Sequence, residues 1–241
     1  MKNSNESKMI LDFLGKFFEK SFKKHEDIDV LDFGCGSGEF ASQYIVYLKE
    51  KISSFSAVEP VLENHASIDK NIAAGMELKP IKSFGDICDI PEETLFDLIV
   101  SNHVLYYVPD ISKTVDNLVS KIKNNGFLLI TMASPENTLI KFWQKSFSKI
   151  GISIPFNQNT DLMSTLEERR IKFQTKKIEA GLDFSDTSQN RIKIGKFLLG
   201  DYFYKINEKE ISYFFEEYSK NGRVIMELVD NVYIINGEIT N

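Results

Sequence analysis

Residues 29–40, Asp-Val-Leu-Asp-Phe-Gly-Cys-Gly-Ser-Gly-Glu-Phe (DVLDFGCGSGEF), decide how this chain is read. A short apolar run ending at Phe33 meets three glycines spaced two apart, Gly34, Gly36 and Gly38. A helical pattern, GEFASQYIVYLKE over 38–50, follows directly. Strand, bare turn and helix are the opening of a βα unit. Glycine lets backbone adopt left-handed conformations and lets another group approach closely. The turn is therefore either a tight strand-to-helix connection or a place where a ligand lies against the main chain.

Working outward, the same alternation repeats. FSAVEP (55–60) is a second short strand stopped by Pro60, and ENHASIDKNIAA is a helix ending at Gly75. IKSFGDI (81–87) is a weaker strand, and LFDLIVSNHVLYYV (95–108) is the strongest apolar run, a buried central strand leaving into an aromatic loop. ISKTVDNLVSKIKNNG (111–126) has helical period with an Asn-Gly stop, and FLLITMA (127–133) is the next strand. Strands alternating with helices of this length predict a parallel α/β sheet with right-handed crossovers. Before it, Met9, Ile10, Phe13, Leu14, Phe17 and Phe18 repeat at helical spacing. After Ser134, helices are expected in TLIKFWQKSFSKIG, TDLMSTLEERRI, around 191–199 and over 208–220. Extended segments are expected in KFQTKKIEAGLDFS and RVIMELVDNVYIIN (223–236). With no repeats and no Pro/Gly-rich linker, one continuous domain over 1–241 is expected.

Composition narrows the class. Apolar residues make up 42% and charged residues 27%, ordinary for a globular protein, and the formal net charge of −6 argues against a broad face for polyanions. The two cysteines, Cys35 and Cys88, lack CxxC spacing, which argues against a zinc ribbon or a disulfide scaffold and fits a reducing compartment. The opening residues lack the apolar core of a signal peptide, and no run of about 18 apolar residues exists. A soluble, cytoplasmic protein is expected, without a membrane or nucleic-acid partner, as a monomer or weak dimer.

In parallel α/β sheets ligands bind beyond the carboxyl ends of the strands. GxGxG differs from the dinucleotide fingerprint GxGxxG, whose last glycine would fall at Glu39, an unfavourable neighbour for a pyrophosphate. Glu59 closes the second strand and can accept hydrogen bonds from both hydroxyls of a ribose. Asp86 closes the third, with Ile87 beside it, an acid and an apolar residue able to grip an adenine. Each has an ordinary alternative: Glu59 as a solvated loop acid, Asp86 as a turn residue or helix cap. Their joint occurrence at successive strand ends reads as an adenosine site without a phosphate cradle.

These stretches resemble the class I S-adenosylmethionine-dependent methyltransferases: VLDFGCGSGEF their first motif, AVEP their ribose-binding acidic strand, and FDLIVSNHVLYYV their fourth motif, over about residues 28–135. The resemblance implies an α/β fold with a Rossmann-like seven-stranded sheet, helices on both faces and a small helical lobe covering the substrate. The final antiparallel strands would come from about 172–180 and 223–236. It implies S-adenosyl-L-methionine as cofactor and S-adenosyl-L-homocysteine as product, with no metal. Gly34, Gly36 and Gly38 would lie against its amino-acid part, Glu59 with Asn64 on the ribose, and Asp86 and Ile87 about the adenine. Asn102 and His103 would line the space near the sulfonium.

SNHVLYYV lacks the Asn/Asp-Pro-Pro-aromatic sequence of amino-adenine and glutamine methylators. VEP, LYYVPDI, NESKMILDFL, KFWQK, LDFSD and KFLLGDYFY instead resemble the histamine N-methyltransferases. That similarity implies a small-molecule acceptor, with Glu6 at its cationic or hydrogen-bonding end. Tyr106, Tyr107, Trp143 and Phe203 or Tyr204 would form aromatic walls, and His103 and Tyr107 stand as the catalytic candidates. Core packing is the ordinary alternative for Trp143 and for His103, and a mobile N-terminus for Glu6. The chain departs from the pattern at His103, where those enzymes carry glutamine, and at Glu227 and Leu228, where they carry paired asparagines. The segment from Ile154 to Asn159 is also shorter. Methyl transfer to nitrogen of an imidazole or biogenic amine is the expectation. An RNA or protein methyltransferase and a non-catalytic cofactor-binding module are the alternatives.

Overall fold

The computed structural model describes residues 4–73 and 81–237. Five parallel strands form most of the sheet: β1 (Ile28–Phe33), β2 (Ile52–Val58), β3 (Ile81–Phe84), β4 (Phe96–Asn102) and β5 (Ile122–Ala133). Next come β6 (Phe173–Ser185), a two-residue β7 (Ser219–Lys220) and β8 (Arg223–Asn236). The order is β3-β2-β1-β4-β5-β8-β6, with β7 pairing on β8. β8 runs antiparallel to both of its long neighbours. The parallel α/β sheet expected from the strand–helix alternation is thus present, together with the antiparallel end that the resemblance implied.

Alternation along each strand builds two cores. Val30, Leu98, Val100 and Leu129 face one side, where α1 (Glu6–Ser21), α2 (Glu39–Tyr44) and α3 (His65–Ala73) supply Ile10, Leu14, Phe18, Tyr44, Ile68 and Ile72. Leu31, Ile99, Leu128 and Ile130 face the other. There α4 (Ile111–Ser120), α5 (Thr138–Lys149), α6 (Asn159–Glu168), α7 (Ser188–Leu199) and α8 (Glu208–Phe214) pack. Helices cover both faces, as a parallel sheet requires.

Boundaries differ from the expectation where local packing overrides it. The helix expected over 38–50 is α2 followed by a 3-10 turn, Ile45–Tyr47. The long apolar run ends as strand at Asn102 and turns into a 3-10 helix at Leu105–Tyr107. The Asn-Gly of residues 125–126 does not end α4. The helix stops at Ser120, and buried Ile122 already pairs with Phe96. Asn125, at φ +67, sits within the register shift between the Phe96–Ile122 and Leu98–Phe127 pairs. Asn-Gly here makes a bulge rather than a cap. The end of the second helix at Gly75 lies outside the described residues.

The amino-terminal segment is tied to the far edge of the sheet. Ser4 bridges Leu182, the Asn5 amide donates to the Gly181 carbonyl at 3.2 Å, and Asn5 Oδ1 accepts from the Gly181 amide at 2.7 Å. Glu6, the first residue of α1, follows directly on this anchor. Among the described residues, no helix is long and apolar enough to cross a membrane.

Candidate functional site

Parallel pairing brings the carboxyl ends of β1 to β5 to one edge of the sheet. The Gly34 amide donates to the Val58 carbonyl at 2.7 Å, and the Glu59 amide to the Phe84 carbonyl at 2.9 Å. The turn after β1 is left-handed at Gly34, Gly36 and Gly38, with φ of +74°, +57° and +79°. A Cβ at Gly36 would meet nothing within 4 Å, so this backbone borders open space.

Glu59 is buried, and its carboxylate organises that turn. Oε2 accepts from the Gly36 amide at 2.9 Å, while Oε1 accepts from the Val61 amide at 3.0 Å and from Asn64 Nδ2 at 3.3 Å. His65 Nε2 donates to the Glu59 carbonyl at 2.8 Å, holding the same bend. Glu59 is thus not a solvated loop acid. Asp86, by contrast, is exposed and caps a 3-10 turn: its Oδ1 accepts from the Cys88 amide at 2.8 Å, and its own amide donates to Asp89. The ordinary capping role is present there, with Ile87 buried beside it.

The end of β4 carries a second constellation. Asp32 pairs with Val100, so Gly34 and Asn102 lie level, two residues further along neighbouring strands. Asn102 Oδ1 is buried and has no hydrogen-bond partner among the described residues. His103 takes a left-handed φ of +58°, uncommon for a residue with a side chain and a mark of functional sites when tertiary contacts hold it. The contact here is its amide, donating to the Thr131 carbonyl at 3.0 Å. Its ring stacks on Tyr106 with an interplanar angle of 10°, and Nδ1 lies 3.2 Å from the Tyr106 hydroxyl. Its Nε2 faces Asp230 Oδ2 at 3.8 Å. Glu6 completes the cluster, with one ligand atom from each of Glu6, His103 and Asp230 lying within 4.8 Å of the others.

A sequence profile of the methyltransferase domain family matches residues 4–171. The chain belongs to that family. It is an S-adenosylmethionine-dependent methyltransferase, as the strand-end motifs implied. It is similar to histamine N-methyltransferase of Cavia porcellus, 23% identical over 206 residues, covering 77% of this chain and 70% of that one. It is also similar to histamine N-methyltransferase B of Xenopus laevis, 26% identical over 192 residues, 71% of this chain and 64% of that one. The chain thus spans roughly two thirds of the length of these relatives. Its fold is shared with the magnesium protoporphyrin IX methyltransferase of Synechocystis PCC 6803, at a TM-score of 0.53 and 10% identity, covering 92% of this chain and 81% of that one.

In this methyltransferase the aromatic residues fall into distinct places. Tyr107 is 65% exposed, packed edge-on against Tyr106 and Phe156. Trp143 is buried: it packs edge-on behind Tyr106 and donates from Nε1 to the Leu198 carbonyl at 2.8 Å. Phe203 is buried in the core, and Tyr204 is 76% exposed beneath Lys196. The ring series running from Tyr107 through Phe156 continues to Tyr202, not to either of them.

Three residues went unread in the sequence. Asp230 is fully buried, continuing the inward face of β8 set by Val224, Met226 and Leu228. Its signal was present: an acid at the apolar phase of an alternating strand. Asn157 pins the tyrosine turn, donating from Nδ2 to the Leu105 and Val108 carbonyls at 3.0 and 2.8 Å while its amide bonds the Tyr106 carbonyl. No sequence period marks that contact, or the place of Tyr202.

Beneath the glycine turn, burial pushes the Asp32 carboxyl up to about 7, the nearby Glu59 charge adds to this, and the Tyr44 hydroxyl, donating at 2.8 Å, opposes it. The native state therefore holds a proton that the unfolded chain, with an ordinary carboxyl, releases near pH 4. Stability then falls as pH rises from about 4 to about 7 and levels off above, by up to about 1.4 kcal/mol per pH unit. Asp32→Asn is expected to flatten this slope in urea denaturation at pH 5 and pH 8. Asp230, likewise pushed up to about 7 by burial, leaves a residual slope of the same sign. Equal slopes in wild type and variant would refute the assignment.

Proposed function

We propose that the enzyme methylates a nitrogen of a small molecule, with imidazoles and biogenic amines as the acceptor class. The observation carrying this reading is the cluster beyond β4 where carboxylates of Glu6 and Asp230 meet His103 beside Tyr106 and Tyr107. Carboxylates and aromatic faces both attract cationic amines. The similarity to enzymes named histamine N-methyltransferase supports it. In this proposal residues 28–135, 172–180 and 223–236 form the cofactor-binding core, and 1–20, 136–170 and 182–220 the acceptor-covering lobe of one domain.

The residues at the strand ends fit the cofactor. The Gly36 backbone opens onto free space, Glu59 offers a buried carboxylate with one lone pair unused and another held only by Asn64 at 3.3 Å, and Asn102 presents an oxygen unpartnered among the described residues. In the proposal Gly34, Gly36 and Gly38 receive the amino-acid part. Glu59 and Asn64 hold the ribose, Ile87 lies on the adenine with Asp86 at its edge, and Asn102 borders the sulfonium. S-adenosylmethionine supplies an already activated methyl group. What the chain must add is alignment of the acceptor lone pair and exclusion of water. Tyr107 covers the acceptor, Tyr106 with Trp143 behind it forms the fixed wall, and Glu6 pairs with the acceptor's charge. Phe203 and Tyr204 shape the lobe from behind rather than lining its floor. His103, its Nδ1 held 3.2 Å from the Tyr106 hydroxyl, stands as the base for the proton that the methylated nitrogen sheds.

The test is an acceptor screen with labelled methyl donor, centred on imidazoles and biogenic amines. Transfer only to RNA or protein would overturn the small-molecule reading. Donor binding with no transfer to any class would favour a non-catalytic module. Tyr107→Ala is expected to reduce turnover by roughly 10–100-fold, since misalignment alone has effects of this order. Donor affinity, by calorimetry, should not change. Undiminished turnover would remove Tyr107 from the pocket.

A further inference from the structure

The cluster at the end of β4 has a feature that acceptor binding does not require. His103 and Asp230 each use one polar atom and leave the other free. On the imidazole, Nδ1 faces the Tyr106 hydroxyl at 3.2 Å, while Nε2 is buried without a hydrogen-bond partner among the described residues. On the carboxylate, Oδ1 accepts from Asn137 Nδ2 at 3.2 Å, while Oδ2 is buried without a partner. Asp230 has no solvent exposure at all. The two free atoms point at each other across 3.8 Å, too far for a hydrogen bond. Buried polar atoms left without a partner are costly in a core, and the Glu6 carboxyl beside them lies close enough to Asp230 to share a proton with it, which an ion would displace.

The pattern is that of a metal ligand pair. Ligating imidazoles and carboxylates have their outer atom fixed by a hydrogen bond and their inner atom kept for the ion. A tetrahedral ion bound at about 2.0–2.2 Å from each atom spans a separation of about 3.3–3.6 Å, so the observed 3.8 Å gap closes on an ion with a shift of a few tenths of an ångström. Glu6 supplies a third ligand atom within 4.8 Å of the other two, from the first turn of a helix already anchored to β6. A modest shift of this partly exposed side chain closes the set. Three elements that meet nowhere in the sequence, the start of α1, the end of β4 and the middle of β8, thus converge on one point.

We propose that Glu6, His103 and Asp230 bind a divalent first-row transition metal, with Tyr106 and Asn137 as the residues that orient the ligands. One imidazole and two carboxylates suit Zn(II), Mn(II), Fe(II) or Co(II), and Cys35 and Cys88 are not members of the cluster, which leaves thiophilic Cu(I) without its ligands. Three protein ligands leave open positions, the arrangement of a site that also takes a small molecule. The proposal stands independently of the acceptor's identity. A cationic acceptor and the ion would compete for Glu6, whereas a neutral nitrogen or oxygen donor could occupy an open position beside it.

The experiment uses the full chain, stripped with EDTA and titrated with Co(II) alone, read by visible absorption and by calorimetry. One equivalent is expected to bind, with ligand-field bands of a low-coordinate N/O site. His103→Ala and the isosteric Asp230→Asn are each expected to abolish saturable binding. Asn137→Ala, which touches no ion, is expected to weaken it by about 10–100-fold. Folding of each variant is checked by circular dichroism and by cooperative thermal unfolding. Glu6→Gln, at a partly exposed position, is the control should a buried variant fail to fold, and it too must weaken binding. Absence of saturable Co(II) binding to the wild type would overturn the proposal. So would binding unchanged in folded Asp230→Asn or Glu6→Gln, whatever the acceptor screen finds.

Discussion

Glu59→Ala is expected to raise the dissociation constant for S-adenosylmethionine by at least about 100-fold. A hydrogen bond to a charged group contributes about 1.5–3 kcal/mol, so two ribose hydroxyls on one carboxylate amount to about 3–6 kcal/mol. Each 1.4 kcal/mol is about a factor of ten. The same substitution strips partners from the Gly36 and Val61 amides, which Glu59 holds at 2.9 and 3.0 Å. Leaving such part-buried donors unsatisfied costs about 1–3 kcal/mol each unless water replaces the carboxylate. Tm should therefore fall as well. Glu59→Gln separates the two effects. Its amide oxygen can serve one backbone amide, but its NH2 cannot accept from the other, so it should fall between wild type and alanine in both readouts. In the wild type S-adenosylmethionine should raise Tm and NAD should not. An unchanged dissociation constant in Glu59→Ala would sink the ribose assignment, and a thermal response to NAD alone would sink the adenosyl reading of the whole turn.

What could be read from the sequence follows the range of the interactions involved. VLDFGCGSG, AVEP and FDLIVSN declare themselves because period, glycine spacing and strand ends are local properties, and parallel pairing then sets Glu59 beside Gly36 without further information. Asp86 shows where local reading stays ambiguous: an acid after a strand serves equally as ligand or cap, and the structure has it capping Cys88. The Asn-Gly before FLLITMA carries a helix-stop signal that the structure does not follow, because the pairing of Ile122 with Phe96 across the sheet overrides it. The acceptor side was least legible. Glu6, His103 and Asp230 are contributed by distant elements, and only the fold makes them neighbours. Asp230 alone gave a local clue, through its phase in β8. Tyr202 and Tyr204 are indistinguishable by composition, and it takes the path of the 3-10 turn Gly200–Lys205 to carry one toward Phe156 and the other toward solvent.

Gly34→Ala is expected to be strongly destabilising for a single added methyl, and the reason can be tested by rescue. Gly34 has φ +74°, which costs a residue with a side chain about 1–2 kcal/mol. Its new Cβ would lie 2.3 Å from Val104 Cγ1 and 2.5 Å from Cγ2, well inside contact distance. Overpacking of this kind adds about 1–3 kcal/mol, for a combined loss of about 2–5 kcal/mol. The strain cannot stay local. Val104 stands between His103 and the 3-10 turn carrying Tyr106 and Tyr107, so yielding there displaces the acceptor wall as well as the cofactor turn. Donor affinity and turnover should both fall. Val104→Ala in the same chain removes both Cγ atoms but leaves its Cβ 2.9 Å from the added methyl, and it leaves the backbone strain intact. The double variant should thus recover part, not all, of the stability lost in Gly34→Ala, giving a coupling of about 1–3 kcal/mol in a double-mutant cycle. Strictly additive losses would mean that the methyl is accommodated elsewhere, and that Val104 does not couple the cofactor turn to the acceptor wall.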